Sequence, residues 1–157
     1  MKKNTKNKVY SLKLGKEAFK NSICCLGEQF NMILNNIIDD TKDMCWYCSD
    51  IEYAGLKSIE ELFPYTIQNN LCYIENTSSL IKKLQYVDQF SSGVFIAFTK
   101  EIKVSWDNNL IPNTEEPEGI QHELGKIEIR AFDYSYFEIY CTNKSILDKL
   151  KLSISKS

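Results

Sequence analysis

The sequence has few of the residues that usually carry chemistry or mark linkers. It contains one histidine, one arginine, three prolines and six glycines in 157 residues. No two glycines have the spacing of a phosphate-binding loop, so a nucleotide site of that kind is excluded. The longest apolar runs, Ile23–Leu26 and Val94–Phe98, are far shorter than the roughly 18–20 residues that a membrane-spanning helix requires. We therefore predict neither a cofactor nor a membrane partner.

Export signals are also missing. Residues 1–3 resemble the basic start of a signal peptide, but residues 4–8 are polar and no small-residue cleavage site follows. We therefore expect a cytoplasmic protein. Its six cysteines, at positions 24, 25, 45, 48, 72 and 141, should then be reduced and mostly buried rather than paired in disulfides.

Charge is distributed unevenly along the chain. The net charge is −2, yet residues 1–20 carry seven lysines and one glutamate, whereas residues 21–157 carry 12 basic and 20 acidic residues. An acidic body disfavours nucleic acid as a ligand and attracts basic partners. The alternative is an ordinary solubilising surface.

Hydrophobic periodicity predicts a flexible basic tail at 1–7 and one α+β domain at 8–157. Lys8–Leu14 alternates like a strand, and Lys16–Ile38 has the three- and four-residue apolar spacing of one long helix. Gly27, inside that helix, suggests a close contact with the sheet. Met44–Tyr53 alternates again and predicts a second strand.

The remaining elements are shorter. Ser58 and Glu61 suggest a capping box for a helical turn, and a short helix should run from Ser78 or Ser79 to Val87. The other predicted elements are strands at Gly93–Thr99, Ile102–Trp106, Lys126–Phe132 and Ser135–Cys141, an irregular connection at Asp107–Leu124, and a last helix capped by Asn143 or Ser145. Together they predict a mostly antiparallel sheet with one long N-terminal helix and two shorter helices packed on it.

Cys45 and Cys48 form the only C-x-x-C pair. Such a pair can be a redox dithiol or half of a zinc site. Here the pair lies in an alternating strand, so its two sulfurs should point to opposite faces. With no second pair and a single histidine, structural thiols are the favoured interpretation and no metal site is predicted.

An enzymatic alternative rests on His122 with Asp50 and Glu52. A single histidine can act as a general base, and two carboxylates on one strand face could serve a hydrolase or a divalent metal. No nucleophile motif accompanies His122, however, and same-face carboxylates are commonly the solvated side of an edge strand. A stacking platform for nucleic acid is disfavoured because the aromatics near Tyr136 are interleaved with acidic residues.

Two stretches concentrate acid. Residues 39–61 hold seven acidic residues and two lysines, and residues 101–123 hold six acidic residues and one lysine. Carboxylates around an exposed aromatic make a surface suited to a basic protein partner. The predicted partner-binding residues are Asp39, Asp40, Asp43, Asp50, Glu52, Trp106, Asp107, Glu115, Glu116 and Glu118.

The stretch Ile127–Ile139, with the sequence IEIRAFDYSYFEI, resembles the C-terminal part of small bacterial immunity-type domains. In those domains a strand, a Phe-Asp-x-Ser-Tyr turn and a second strand precede a short last helix. The resemblance implies a cytosolic inhibitor of a cognate toxin, often a nuclease, as in contact-dependent growth inhibition. It transfers no binding residue. The enzyme or ligand-binding alternative stays open.

Overall fold

Six strands form one antiparallel sheet in the order β1-β6-β5-β4-β2-β3. The structure is a computed structural model, and it describes residues 8–65, 70–107, 109 and 111–156; the predicted tail at 1–7 lies outside the described residues. The elements are β1 (Tyr10–Gly15), α1 (Lys16–Phe19), α2 (Gly27–Asn36), a 3-10 turn (Asp39–Thr41), β2 (Met44–Gly55), α3 (Ile59–Leu62), β3 (Cys72–Ile74), α4 (Thr77–Leu84), β4 (Val87–Thr99), β5 (Ile127–Phe132), β6 (Tyr136–Cys141) and α5 (Lys144–Ser155). The α+β class is thereby confirmed.

The main core lies between the helices and one face of the sheet, the helix-side face. Leu34 of α2, Leu80 of α4 and Leu150 of α5 are fully buried there. Phe30 is at the centre, with its ring centroid 4.7 Å from that of Phe95 and 5.5 Å from that of Phe137. Such burial of large apolar side chains supplies most of the favourable free energy of folding.

The opposite face of the sheet is partly covered by the β4–β5 connection, residues 100–126. A small second core of Cys45, Val94, Ile96 and Phe98 lies beneath it, and Trp106 packs against this core. The predicted strand at Ile102–Trp106 is wrong, because this part of the connection is irregular. The sheet is therefore a central layer with helices on one side and non-repetitive chain on the other.

The long helix predicted at Lys16–Ile38 is also wrong. The chain leaves the helix at Lys20 (φ 51°), and Cys25 (φ 63°) again takes the left-handed conformation. At Cys25 the backbone bonds to β4 instead of continuing a helix, since the carbonyl of Cys25 accepts from the amide of Phe90 at 2.8 Å. Helix α2 then begins at Gly27, where a Cβ atom would lie 2.8 Å from the Leu84 carbonyl oxygen. The expected close contact at Gly27 is confirmed, although its neighbours are backbone at the end of α4 and start of β4.

Other boundaries differ in smaller ways. Helix α4 begins after Asn76, whose side chain accepts from the Ser79 amide, rather than at Ser78 or Ser79. Val87 starts β4 instead of ending a helix, and β3 was not predicted. Ser58 precedes α3 without a side-chain capping bond. The C-terminal hairpin and the Asn143 cap of α5 are confirmed.

A β-bulge at Asp50 changes the alternation of β2. Pairing with β4 shifts between Ser49 and Glu52, and Asp50 has φ 51°. Ile51 and Tyr53 therefore join the helix-side core, although unbroken alternation would place them with Ser49 on the other face. Glu52 is exposed.

Within the described residues, no helix is long and apolar enough to cross a membrane.

Candidate partner-binding surface

The β4–β5 connection is held on the sheet by a buried ion pair. Arg130 and Glu128 project from β5, are about 1% and 0% exposed, and contact each other directly. The Arg130 guanidinium also donates to the carbonyls of Glu116 at 2.7 Å and Gly119 at 2.8 Å. Five donors in a planar fork allow one arginine to bind a carboxylate and several carbonyls together. The turn at 116–119 is thus fixed to β5.

Glu128 fixes a second point of the same connection. Its carboxylate accepts from the Gln121 amide at 2.7 Å and from the Gln121 side chain at 2.8 Å. Burial raises the pKa of the Glu128 carboxyl, while Arg130 and the two Gln121 donors pull it back toward the charged form. Every strong polar group at this point has a partner, as a buried pair requires.

Asp50 fixes a third point of the connection, two strands away from β5 on β2. Its carboxylate accepts from the Thr114 amide at 2.9 Å and from the Thr114 hydroxyl at 2.8 Å. The hydroxyl of neighbouring Ser49 donates to the Pro112 carbonyl. The segment 112–119 therefore crosses the sheet from β2 to β5, and its direction is set by the side chains beneath it.

This crossing brings carboxylates from distant parts of the sequence together. Asp50 contacts Thr114, which precedes Glu115 and Glu116. Burial raises the pKa of the Tyr140 phenol, and Glu138 and then Glu118 lie close enough to raise it further. The Tyr140 hydroxyl donates to Glu138 on β6. We define the acidic ridge as the carboxylates that line this crossing: Asp50, Glu52, Glu115, Glu116, Glu118 and Glu138.

The ridge is poorly neutralised. Five of its members are exposed and Glu138 is half-buried, and within the described residues none makes an ion pair. Arg130 lies below the ridge, but its charge is used by Glu128 and backbone carbonyls. Lys13 is opposite Glu138 in the sheet, with its ammonium 4.1 Å from the Tyr136 ring centroid. The ridge therefore presents a local negative field.

Three of the predicted partner-binding residues lie elsewhere. Asp39, Asp40 and Asp43 precede β2, whereas Asp50 follows six residues of that strand, which places the two groups roughly 20 Å apart. Asp40 pairs with Lys149, and Asp39 lies 3.8 Å from Lys42. The acidic stretch at 39–61 is thus divided between two ends of the sheet, and in the described part of the chain only the first end has ion-paired lysines.

Trp106 packs against the second core. Its ring is half-buried, with centroids 5.5 Å from Tyr47, 5.7 Å from Phe98 and 4.7 Å from His122. The indole Nε1 is buried and has no hydrogen-bond partner in the described part of the chain. Asp107 is exposed beside it, and its carboxylate accepts from the Asn109 amide. A role of Trp106 in partner binding stays a prediction.

The residues of the enzymatic alternative are not brought together. His122 packs on Phe98, which pairs with Cys45, whereas Asp50 follows Ser49, which pairs with Val94. Four residues of β4 separate these rows by roughly 13 Å. Both imidazole nitrogens are also engaged, because Nδ1 accepts from the Leu124 amide and Nε2 lies 2.9 Å from the Ser105 carbonyl.

All six cysteines are buried as free thiols. Cys45 lies in the second core and Cys48 in the helix-side core, which confirms that their sulfurs point to opposite faces. Burial raises the pKa of Cys72 to about 11, whereas the side-chain hydrogen bond from Cys25 lowers the pKa of Cys24 to about 7. No group of three or more metal-ligating side chains occurs among the residues that the structure describes.

Sequence reasoning missed three contributors to this surface. Glu128 and Arg130 alternate with Ile127 and Ile129 and were not among the predicted binding residues, yet the connection buries them. The one signal in the sequence was the long, irregular connection itself, because a connection of that length in a compact domain packs on part of the sheet and buries residues there. Glu138 was not included because it is isolated in sequence from both acidic stretches.

Comparison with family models, with curated proteins and with solved structures finds no match to this chain.

Proposed function

We propose that this protein is a cytoplasmic protein-binding inhibitor of the immunity type, which covers a basic surface of a toxin domain with the acidic ridge. The observation that carries the proposal is the ridge itself: six carboxylates from three separate parts of the chain that meet on one face with no ion-paired cation in the described residues. Such a field attracts a basic protein and speeds its encounter.

The way in which the ridge is held also supports binding. Its central segment is fixed by Arg130, Glu128 and Asp50 through hydrogen bonds to the carbonyls of Glu116 and Gly119, the Gln121 amide and the Thr114 amide. A pre-formed surface loses little conformational entropy when a partner binds. The hydrogen bonds beneath the segment thus keep the exposed carboxylates in place.

The partner's class follows from the charge. A nuclease domain must hold a polyanion, so its active site is basic, and an acidic cover competes with its substrate for the same cations. The ridge repels nucleic acid for the same reason. A toxin nuclease is therefore the partner class that the ridge fits best.

The first test is to identify the partner. The protein is purified from its native host and co-purifying proteins are identified by mass spectrometry. We expect a basic protein with nuclease activity, which the purified chain inhibits at stoichiometric ratio. An acidic partner, or a nuclease whose activity is unchanged by excess chain, contradicts the proposal.

The second test measures association with that partner. Glu115→Lys/Glu116→Lys should slow association about tenfold at low salt and remove most of its salt dependence, because rim charges act mainly on the on-rate. Asp39→Lys/Asp43→Lys is the matched control, with the same change in net charge at the other end of the sheet. Equal effects of the two variants would show that overall charge, not the ridge, steers the partner.

A further inference from the structure

An open groove adjoins the acidic ridge. It is lined by the end of β2 and the turn that follows, 51–59, with Ser91 and Tyr134 on its other side, and it encloses about 760 Å³. Glu52 belongs to both the ridge and the groove. A volume of this size accommodates one or two side chains of a partner protein.

Tyr134 is held in the groove at a conformational cost. It occupies the second central position of the Phe132–Ser135 turn, with φ 60°, after Asp133 with φ 47°. Glycine or asparagine adopts such a left-handed conformation far more readily than tyrosine does. The ring is 51% exposed, and nearby Leu56 is 80% exposed, so burial in the core explains neither residue.

The groove is also electronegative. Glu52 lies in its lining. Burial raises the pKa of the Tyr53 phenol, and Glu60 and Glu61 of α3 lie close enough to raise it further. Lys57 lies in the lining too, but its ammonium is directed to Tyr86, 3.9 Å from that ring's centroid. An exposed aromatic ring beside carboxylates is complementary to a planar cation.

From this geometry we propose that the groove receives an arginine side chain of the basic partner, with the guanidinium stacked on Tyr134 and paired with Glu52. Arginine fits better than lysine because its flat, weakly hydrated head group can stack and bind a carboxylate at the same time. The inference rests on the proposed function and adds the residue type that anchors the partner. The anchor lies at Tyr134 rather than at Trp106.

The test uses short peptides as probes. The 15N-labelled protein is titrated with a glycine-flanked triarginine peptide, with the matched trilysine peptide and with a triglutamate peptide. We expect saturable amide shifts at Glu52, Leu56 and Tyr134 with triarginine, at least threefold weaker binding of trilysine and no shifts with triglutamate. Shifts spread equally over all acidic residues, or equal affinity for the first two peptides, would overturn the arginine site.

Tyr134→Gly separates binding from stability. Glycine removes the ring and also relieves the left-handed strain, so the melting temperature should be unchanged or higher while triarginine affinity falls at least fivefold. Leu152→Ala is the control, since this leucine on α5 is 57% exposed and lies outside the groove. Unchanged affinity in Tyr134→Gly contradicts the proposal.

The ridge and groove can fail independently. With the isolated partner, Tyr134→Gly should raise the dissociation rate at least tenfold and leave the salt dependence of association intact, whereas Glu115→Lys/Glu116→Lys should act mainly on association. If only the ridge variant has an effect, the groove proposal is wrong and the proposed function stands. If the partner proves to be acidic, the proposed function is wrong, while the peptide titration still decides whether the groove binds arginine.

Discussion

Replacing Arg130 with methionine should lower the free energy of unfolding by about 4 kcal/mol, because removing one partner of a buried ion pair leaves the other charge without compensation. Glu128 is 0% exposed, and its carboxylate would keep only the Gln121 donors. The carbonyls of Glu116 and Gly119 would lose their donor, although water can reach these part-buried groups. For a chain of this size, 4 kcal/mol corresponds to a fall in melting temperature of roughly 8–16 °C.

A double-mutant cycle tests the reasoning more directly. Glu128→Gln/Arg130→Met removes both charges and should cost less than the sum of the two single variants, with a coupling of about 2 kcal/mol. Urea denaturation provides the free energies. Hydrogen exchange provides the location: in Arg130→Met the amides of Thr114 and Gln121 should exchange faster, while those of α2 lose protection only as far as global stability falls.

The result that would refute this account is specific. A loss below about 1 kcal/mol in Arg130→Met, with unchanged exchange at Thr114 and Gln121, would show that the β4–β5 connection is held by its apolar contacts alone. Additive single variants would show that Arg130 and Glu128 do not act as a pair.

Three further predictions concern the rest of the fold. Gly27→Ala should cost about 2–3 kcal/mol or more in urea denaturation, because its Cβ would overlap the Val87 carbonyl oxygen and lie 2.8 Å from that of Leu84, whereas Gly15→Ala, whose nearest atom would be 3.4 Å away, should cost under about 1 kcal/mol. Denatured protein should show six free thiols by Ellman titration, whereas the native protein should react slowly at all six, because every cysteine is buried. Trp106→Ala should lower the free energy of unfolding by about 2 kcal/mol and Trp106→Phe by less; unchanged stability with faster partner release would instead place the ring at the interface.

The alternation of apolar and polar residues was sufficient to predict most strands of the sheet. The segments that became β1, β2, β5 and β6 were predicted because one side of each faces a continuous apolar core, which imposes a two-residue period. The same rule failed after Ser49, because a bulge adds one residue and reverses the alternation. Nothing local in the sequence marks that insertion, since Asp50 is an ordinary polar residue of an edge segment.

The broken N-terminal helix shows a different limit. Phe19, Ile23, Leu26 and Phe30 have helical spacing, but Leu26 and Cys25 bond to β4 through their backbone. Tertiary hydrogen bonds outweighed a weak local preference. A periodic apolar pattern cannot distinguish a helix from a bent segment whose side chains enter the same core.

The acidic composition of the candidate surface could be predicted from the sequence, but the spatial arrangement of its carboxylates could not. Counting charges located both acidic stretches, but only strand register separates Asp39 from Asp50 and brings Glu138 beside Glu118. The importance of Tyr134 depends on its φ angle, which the sequence does not show. Fold class thus follows from short-range pattern, whereas the surface depends on contacts between distant segments.

The pairing of β1 with β6 has a consequence for synthesis. Gly15 pairs with Tyr136 and Tyr10 with Cys141, residues more than 120 positions apart in sequence. On a translating ribosome, β1 emerges early and has no partner until β6 follows. A nascent chain in which β6 has not yet emerged therefore leaves β1 unpaired and the outer edge of β5 open. Chaperone binding should therefore be strongest on nascent chains that end between β5 and β6. Release should coincide with the emergence of Cys141.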